Sequence, residues 1–215
     1  MQPPEPDALA AGLATLGLSV DAAQQATLLA YLALIGKWNR VYNLTAVRDP
    51  GEMLTMHLLD SLAVVAPLGR QLGDRPARLL DVGSGAGLPG VVLAIAAPHW
   101  QVTCVDTVGK KASFIQQVAA ELKLSNLSAQ HARVESMTLP PVDVVTSRAF
   151  SSLVDFTRLS RRHLAPGGVW MAMKGKVPTD EQAALPADVD VFHVEQLSVP
   201  GLAAERCLLW MRPRP

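Results

Sequence analysis

The segment R-L-L-D-V-G-S-G-A-G-L-P-G, residues 78–90, sets the architecture around it. Leu79, Leu80 and Val82 make a short apolar run that stops at Gly83, the first of a cluster of four glycines. Pro89 then opens an apolar, alanine-rich segment that reaches Ala97. Strand, glycine turn, helix is the entry to a nucleotide-type site at the carboxyl end of a parallel strand. Glycine suits the turn because the backbone takes positive φ there and a ligand approaches with no Cβ in its way. Pro89 fits a first helical position, where a missing N–H costs nothing. The helix that follows aims free N–H groups at whatever sits over the loop.

The loop reads in two frames. Gly85-Ala86-Gly87-Leu88-Pro89-Gly90 satisfies G-x-G-x-x-G, the dinucleotide fingerprint of an NAD-binding oxidoreductase. Read from Asp81, the same loop has a carboxylate at the end of its strand. A pyrophosphate is negative and gains nothing from that acid. The sulfonium and α-ammonium groups of S-adenosylmethionine are complemented by it, directly or through water. Asp81 also has a plain structural reading, in which it satisfies N–H groups of the loop.

Further along, the ends of the strand-like runs supply the remaining candidates. Asp106 closes V-T-C-V-D, where a carboxylate either accepts the ribose hydroxyls of an adenosine or caps the next helix. Val134 and Glu135 follow the third run, where such folds contact adenine; a surface pair of Arg133 and Glu135 is the alternative. Arg148, in T-S-R-A-F, either forks onto a phosphate or the carbonyl face of a guanine, or bridges loops. Lys174 and Lys176 follow the fifth run and, with Lys110, Lys111, Arg161, Arg162 and Arg206, either rim the cleft with positive charge or stand singly as solvated surface bases. An Asn-Pro-Pro-Tyr-like motif of amino-group methylases is missing. Cys104 and Cys207 sit inside apolar runs without metal-ligand spacing, as small core residues of a reduced compartment rather than nucleophiles.

Strands are predicted near 78–82, 101–106, 127–131, 142–147, 168–173, 189–196 and 206–212, and helices near 89–97, 110–123, 152–163 and 179–184. Alternation of this kind gives a parallel sheet covered on both faces. The last two strands, joined around Val199-Pro200-Gly201, form an antiparallel hairpin at one edge. The expected fold is α/β, with a seven-stranded, mostly parallel sheet ending in that hairpin, the arrangement of Rossmann-like S-adenosylmethionine-dependent methyltransferases. Residues 1–76 read as an α-helical N-terminal extension that forms one compact unit with the methyltransferase domain of residues 77–215. Its helices carry Leu9, Leu13 and Leu16; then, capped by Ser19, Leu28, Tyr31, Leu32, Ile35 and Trp38; then, opened by Asp49-Pro50-Gly51-Glu52 and ended by Pro67 and Gly69, Leu54, Leu58, Leu62 and Val65. His57 and Asp60 lie one helical turn apart and read as a local pair.

Composition narrows the class. Formal net charge is zero over 215 residues, which argues against a protein that grips naked nucleic acid by charge alone. No apolar run approaches the roughly 20 residues of a membrane span. The opening M-Q-P-P-E-P-D does not resemble a secretory signal, and the chain reads as cytoplasmic.

W-N-R-V-Y-N-L-T-A (38–46), H-L-L-D-S-L (57–62), D-V-G-S-G-A-G-L-P-G (81–90), R-V-E (133–135), S-R-A-F (147–150), M-K-G (173–175) and E-R (205–206) together resemble the bacterial 16S rRNA guanine-N7 methyltransferase family, RsmG or GidB. The resemblance runs over most of the chain, with little signal in residues 1–18 and 177–190. It implies a class I methyltransferase fold and methyl transfer from S-adenosylmethionine to N7 of one guanine of 16S rRNA, within the small ribosomal subunit, by a monomer with no metal and no membrane partner. The cofactor-binding set becomes Asp81, Gly83, Gly85, Leu88, Asp106, Val134, Glu135 and Arg148. Arg148 and Lys174 take the catalytic places; Asn43, His57, Lys174 and Arg206 take the RNA side. Competing readings are a methyltransferase of another substrate, an NAD-binding oxidoreductase, and a non-catalytic ribosome-binding factor.

Overall fold

A computed structural model describes residues 6–73, 75–148 and 150–214. Seven strands, β1 (Ala77–Val82), β2 (Trp100–Asp106), β3 (Leu127–His131), β4 (Val142–Ser147), β5 (Leu164–Lys174), β6 (Val189–Leu197) and β7 (Arg206–Pro213), form one sheet in the order β3-β2-β1-β4-β5-β7-β6. The first five run parallel, and β7 is antiparallel to both β5 and β6. Strand order reverses between β1 and β4, which opens a crevice outside the carboxyl ends of the parallel strands. Because β7 runs the other way, its first residue, Arg206, reaches that same edge beside Lys174, the last residue of β5.

Helices α1 (Pro6–Leu16) and α2 (Ala22–Tyr42) precede a short α3 (Pro50–Met53), a π-helical turn over Leu54–Leu59, α4 (Asp60–Leu62) and α5 (Val65–Leu72). The cap of α2 is Asp21 rather than Ser19. Its carboxylate accepts the Gln24 N–H at 2.8 Å while the Gln24 side chain accepts the Asp21 N–H at 3.0 Å, a reciprocal box that a lone serine two residues earlier cannot match. Asp49 caps α3 as expected, at 3.0 Å from the Glu52 N–H. Pro67 and Gly69 do not end a helix. They lie inside α5, with Pro67 in its first turn, where no N–H is needed.

Among α6 (Gly90–Ala96), α7 (Gly109–Glu121), α8 (Leu153–Ser160) and α9 (Thr179–Ala183), α6 and α7 cover one face of the sheet and α8 packs on the other. Alternation along β1 sends Leu79 to the first apolar cluster and Leu80 and Val82 to the second. The first cluster continues without a break into Leu9, Leu28, Leu58 and Leu68 of the N-terminal helices. The helix read over 152–163 stops at Ser160 in a 3₁₀ turn, Arg161–His163, and β5 begins four residues earlier than its apolar core suggests. Among the described residues no helix is long and apolar enough to cross a membrane.

Candidate active site

The glycine loop leaves β1 with its N–H groups tied back to β2. The Gly83 and Ser84 N–H groups both reach the Val105 carbonyl, at 2.9 and 3.2 Å. Gly83, Gly85 and Gly87 all have positive φ, between 59° and 94°. Period-two alternation puts Asp81 on the α6 face with Leu79, so its carboxylate lies under the loop, fully buried. Asp81 Oδ2 accepts the Gly90 N–H at 2.9 Å, while Oδ1 has no partner among the described residues. Burial pushes its carboxyl from 3.8 up to about 7, against the opposing pull of the Gly90 N–H and the Arg148 guanidinium. A Cβ on Gly90 would stand 2.5 Å from Cys104 Sγ and 2.8 Å from Asp81 Oδ2, so glycine is needed for this close approach. From the other side, the buried Tyr31 hydroxyl of α2 donates to the Ala86 carbonyl at 2.7 Å.

Beyond the loop, a cavity of about 340 Å³ opens over the ends of β1, β2 and β3. Gly83, Asp106, Val134, Glu135, Phe150 and Leu159 are among the residues that line it. Each Asp106 oxygen already accepts one backbone N–H, Gly85 to Oδ2 and Val108 to Oδ1, both at 2.9 Å. A carboxylate oxygen has a second lone pair, so this fixed group still offers two acceptors. Val134 is held in place by its carbonyl, which bonds the buried His163 Nε2 at 2.7 Å. Arg162 donates to the Glu135 carbonyl at 3.0 Å, and the Arg133–Glu135 side chains approach only to 3.9 Å. The result is an apolar slot with a fixed double acceptor at one end, the shape and polarity that an adenosine requires.

A second cavity, about 370 Å³, lies at the ends of β4 and β5 and the start of β7. Thr45, His57, Asp60, Arg148, Lys174 and Arg206 line it. Asp60, only 1% exposed, sits between two guanidinium groups: Arg206 Nε donates to Oδ1 at 2.8 Å and Arg148 Nη1 to Oδ2 at 3.3 Å. Arg148 Nη1 also donates to the Met56 carbonyl at 2.8 Å. The local pairing expected of His57 and Asp60 is not formed. His57 Nε2 meets Thr45 Oγ1 at 3.0 Å, and burial, then Arg148, holds its ring down at about 4, so it is neutral. Lys174 Nζ is held between both Glu181 oxygens, at 2.9 Å, and the Phe150 carbonyl.

The structure thus divides the sequence candidates. Gly83, Asp106, Val134 and Glu135 meet in the first cavity; His57, Arg148, Lys174 and Arg206 meet in the second. Gly85 binds Asp106, Leu88 is buried, and Asp81 works beneath the loop in the way its structural reading described. Asn43, the left-handed C-cap of α2, accepts from Arg48 at 3.2 Å. Of the basic residues placed on the rim, Arg161 turns instead to Asp188 at 2.9 Å. Cys104 and Cys207 are buried. Asp60, Tyr31 and His163 join the site through partners far along the chain, which sequence spacing does not indicate. Among the described residues no group of three His, Cys, Asp or Glu side chains is placed to hold a metal.

Solved structures with this fold include an S-adenosylmethionine-dependent methyltransferase from Aquifex aeolicus, 16% identical with a TM-score of 0.56 over 79% of this chain and 96% of that one. The [4+2]-cyclase SpnF is 15% identical, with a TM-score of 0.58 over 92% of this chain and 98% of that one. At such identities the likeness establishes the Rossmann-like class I methyltransferase fold and leaves the reaction open. Sequence decides more. The Ribosomal RNA small subunit methyltransferase G of Leptothrix cholodnii is 63% identical over 211 residues, covering 98% of this chain and 97% of that protein. The model of the GidB family, rRNA small subunit methyltransferase G, matches residues 24–209, and the chain belongs to that family.

Proposed function

We propose that this chain transfers a methyl group from S-adenosylmethionine to N7 of one guanine of 16S rRNA. The observation that carries the reading is the pair of cavities flanking the end of β4, with Phe150 lining one and Arg148 the other. The first suits the adenosine half of the donor, with the ribose on Asp106 and the ring beside Val134. The second is the place for the acceptor base. When bound, the donor supplies a methyl group on a sulfonium, an electrophile that needs no further activation.

The side chains suit an acceptor with no proton to remove. Guanine N7 has an in-plane lone pair, so no general base is required before attack. Burial and Arg148 hold the His57 ring down at about 4, which makes it a weak base, and Lys174 is ion-paired with Glu181, so neither is poised to take a proton. The work left to the protein is alignment and electrostatics. Arg148 and Arg206 present guanidinium N–H groups to the acceptor cavity, and such forks match phosphate and carbonyl oxygens. A base reaches that depth only by leaving its stack.

With zero net charge, recognition of the folded RNA or of the assembled small subunit rests on shape and on local cations, the chain acting as a cytoplasmic monomer. Residues 1–76 act as an extension that completes the acceptor cavity through Thr45, His57 and Asp60 while residues 77–215 hold the donor. The test is methylation of rRNA from cells lacking the gene, with tritiated donor and mass mapping of the product. Label at a single guanine N7 is expected. Label elsewhere, or none on RNA with turnover on another substrate, overturns the reading.

A further inference from the structure

The structure assigns to Asp60 the role of a positioning residue: with the Met56 carbonyl, it holds Arg148 and Arg206 as a preset cationic pair facing the acceptor base. This inference rests on the proposed function of the second cavity. The two arginines come from β7 and from the segment after β4, whereas Asp60 comes from the N-terminal helices, 88 residues before Arg148 and 146 before Arg206. The side chain of Asp60 is 2% exposed and those of Arg148 and Arg206 are 27% and 21% exposed. The carboxylate is therefore inside and the cations stand at the cavity wall.

The backbone is shaped for this contact. In an α-helix the Asp60 N–H would bond the carbonyl of Met56. Here the π-helical turn sends it to Thr55, five residues back, with His57 as a second acceptor. The Met56 carbonyl is then presented to Arg148 Nη1 at 2.8 Å, beside the Asp60 oxygen at 3.3 Å. Single π turns inside helices occur often at functional sites.

Energetics argue in the same direction. One carboxylate shared by two guanidinium groups is a costly way to fill a core, since replacing a buried ion triad by apolar side chains of similar volume is often neutral or stabilising. What the triad supplies is order. Each arginine keeps N–H donors that Asp60 does not use, in a fixed direction, and the cluster retains a net positive charge because His57 is neutral and Lys174 is compensated by Glu181. Pre-aimed donors need no reorganisation when a polar base edge or phosphate arrives.

The experiment uses the full chain and Asp60→Asn, an isosteric change that keeps one acceptor and removes the charge. Affinity for S-adenosylhomocysteine, measured by calorimetry, should stay within about twofold, because Asp60 is outside the donor cavity. Single-turnover methylation of rRNA from cells lacking the gene should fall by about thirtyfold, in the maximal rate more than in the half-saturating RNA concentration, as expected when binding groups remain but are misaimed. A double-mutant cycle with Arg206→Gln supplies the readout that a purely structural role would not move: the two losses should be strongly non-additive in rate after correction for folded fraction. Additive losses, or a rate equal to that of the parent, overturn the inference. Arginine Nε–H NMR signals separate this from failure of the proposed function. Arg206 should show a slowly exchanging signal in the parent that is lost in Asp60→Asn with the amide spectrum intact. A signal that survives overturns the positioning role whatever the substrate proves to be, whereas a parent inactive on rRNA counts against the proposed function alone.

Discussion

Asp81 and His57 give the folded chain two pH dependences of opposite sign. Burial raises the Asp81 carboxyl from 3.8 to about 7, so the folded state keeps a proton through a window in which the unfolded chain has released it. Stability falls with rising pH wherever the folded state binds more protons. At about 1.4 kcal/mol per pH unit, Asp81 lowers stability by ~4 kcal/mol between about pH 4 and 7. His57 does the reverse. Burial lowers its ring from 6.5 to about 4, so the unfolded chain takes up the proton first, and stability rises across that window by ~3 kcal/mol. Where the windows overlap, from about pH 4 to 6.5, the two slopes oppose, and the parent protein is expected to show little net change from this pair. Single substitutions uncover each slope. With Asp81→Asn, urea unfolding at a series of pH values should show the parent losing its advantage over the variant by ~4 kcal/mol on going from about pH 4 to 7, then levelling. With His57→Gln, the parent should gain ~3 kcal/mol over the variant up to about pH 6.5. A parent-minus-Asn difference that stays flat through this range would refute the claim that Asp81 is a buried, proton-holding group under the loop.

Gly90→Ala should destabilise the fold by about 1–3 kcal/mol through overpacking against Cys104 and Asp81, read by the urea midpoint. Adding Cys104→Ala should restore part of the loss, because the shorter of the two clashes is with Sγ. Tyr31→Phe strips the Ala86 carbonyl of its buried donor and should cost about 1–3 kcal/mol of stability, together with weaker binding of S-adenosylhomocysteine; unchanged binding would mean that α2 does not help to hold the loop. Asp106→Ala removes the acceptor of two loop N–H groups and the proposed ribose partner, so the dissociation constant for S-adenosylhomocysteine should rise at least about tenfold, or about 1.4 kcal/mol, by calorimetry.

What could be read from sequence was what the chain writes locally. The glycine loop announces itself because positive φ at Gly83, Gly85 and Gly87 demands that residue type. The strands do so through short apolar runs, and Asp106, Val134 and Glu135 follow from counting to the ends of those runs. The first cavity is assembled from consecutive strand ends and was legible for that reason. The second was only half legible. Arg148, Lys174 and Arg206 were named as bases at the cleft, but their restraints come from Asp60 and Glu181, and nothing near Asp60 in sequence indicates arginines 88 and 146 residues away. The His57–Asp60 pairing failed because it assumed regular α-helical spacing through a segment that winds as a π-helix. The Ser19 cap failed because a better box, Asp21 with Gln24, lay two residues on. Pro67 and Gly69 misled as terminators because a new helix starts just before them.

The π turn makes the second cavity depend on how a helical segment with mostly apolar side chains is wound. Wound as an ordinary α-helix, the same six residues, Leu54–Leu59, would carry everything downstream about 100° further around the helix axis. Asp60 would then swing away from both guanidinium groups while the apolar pattern of the segment remained nearly intact. The wide turn therefore sets the azimuth of Asp60, and that setting leaves little signature in hydrophobicity.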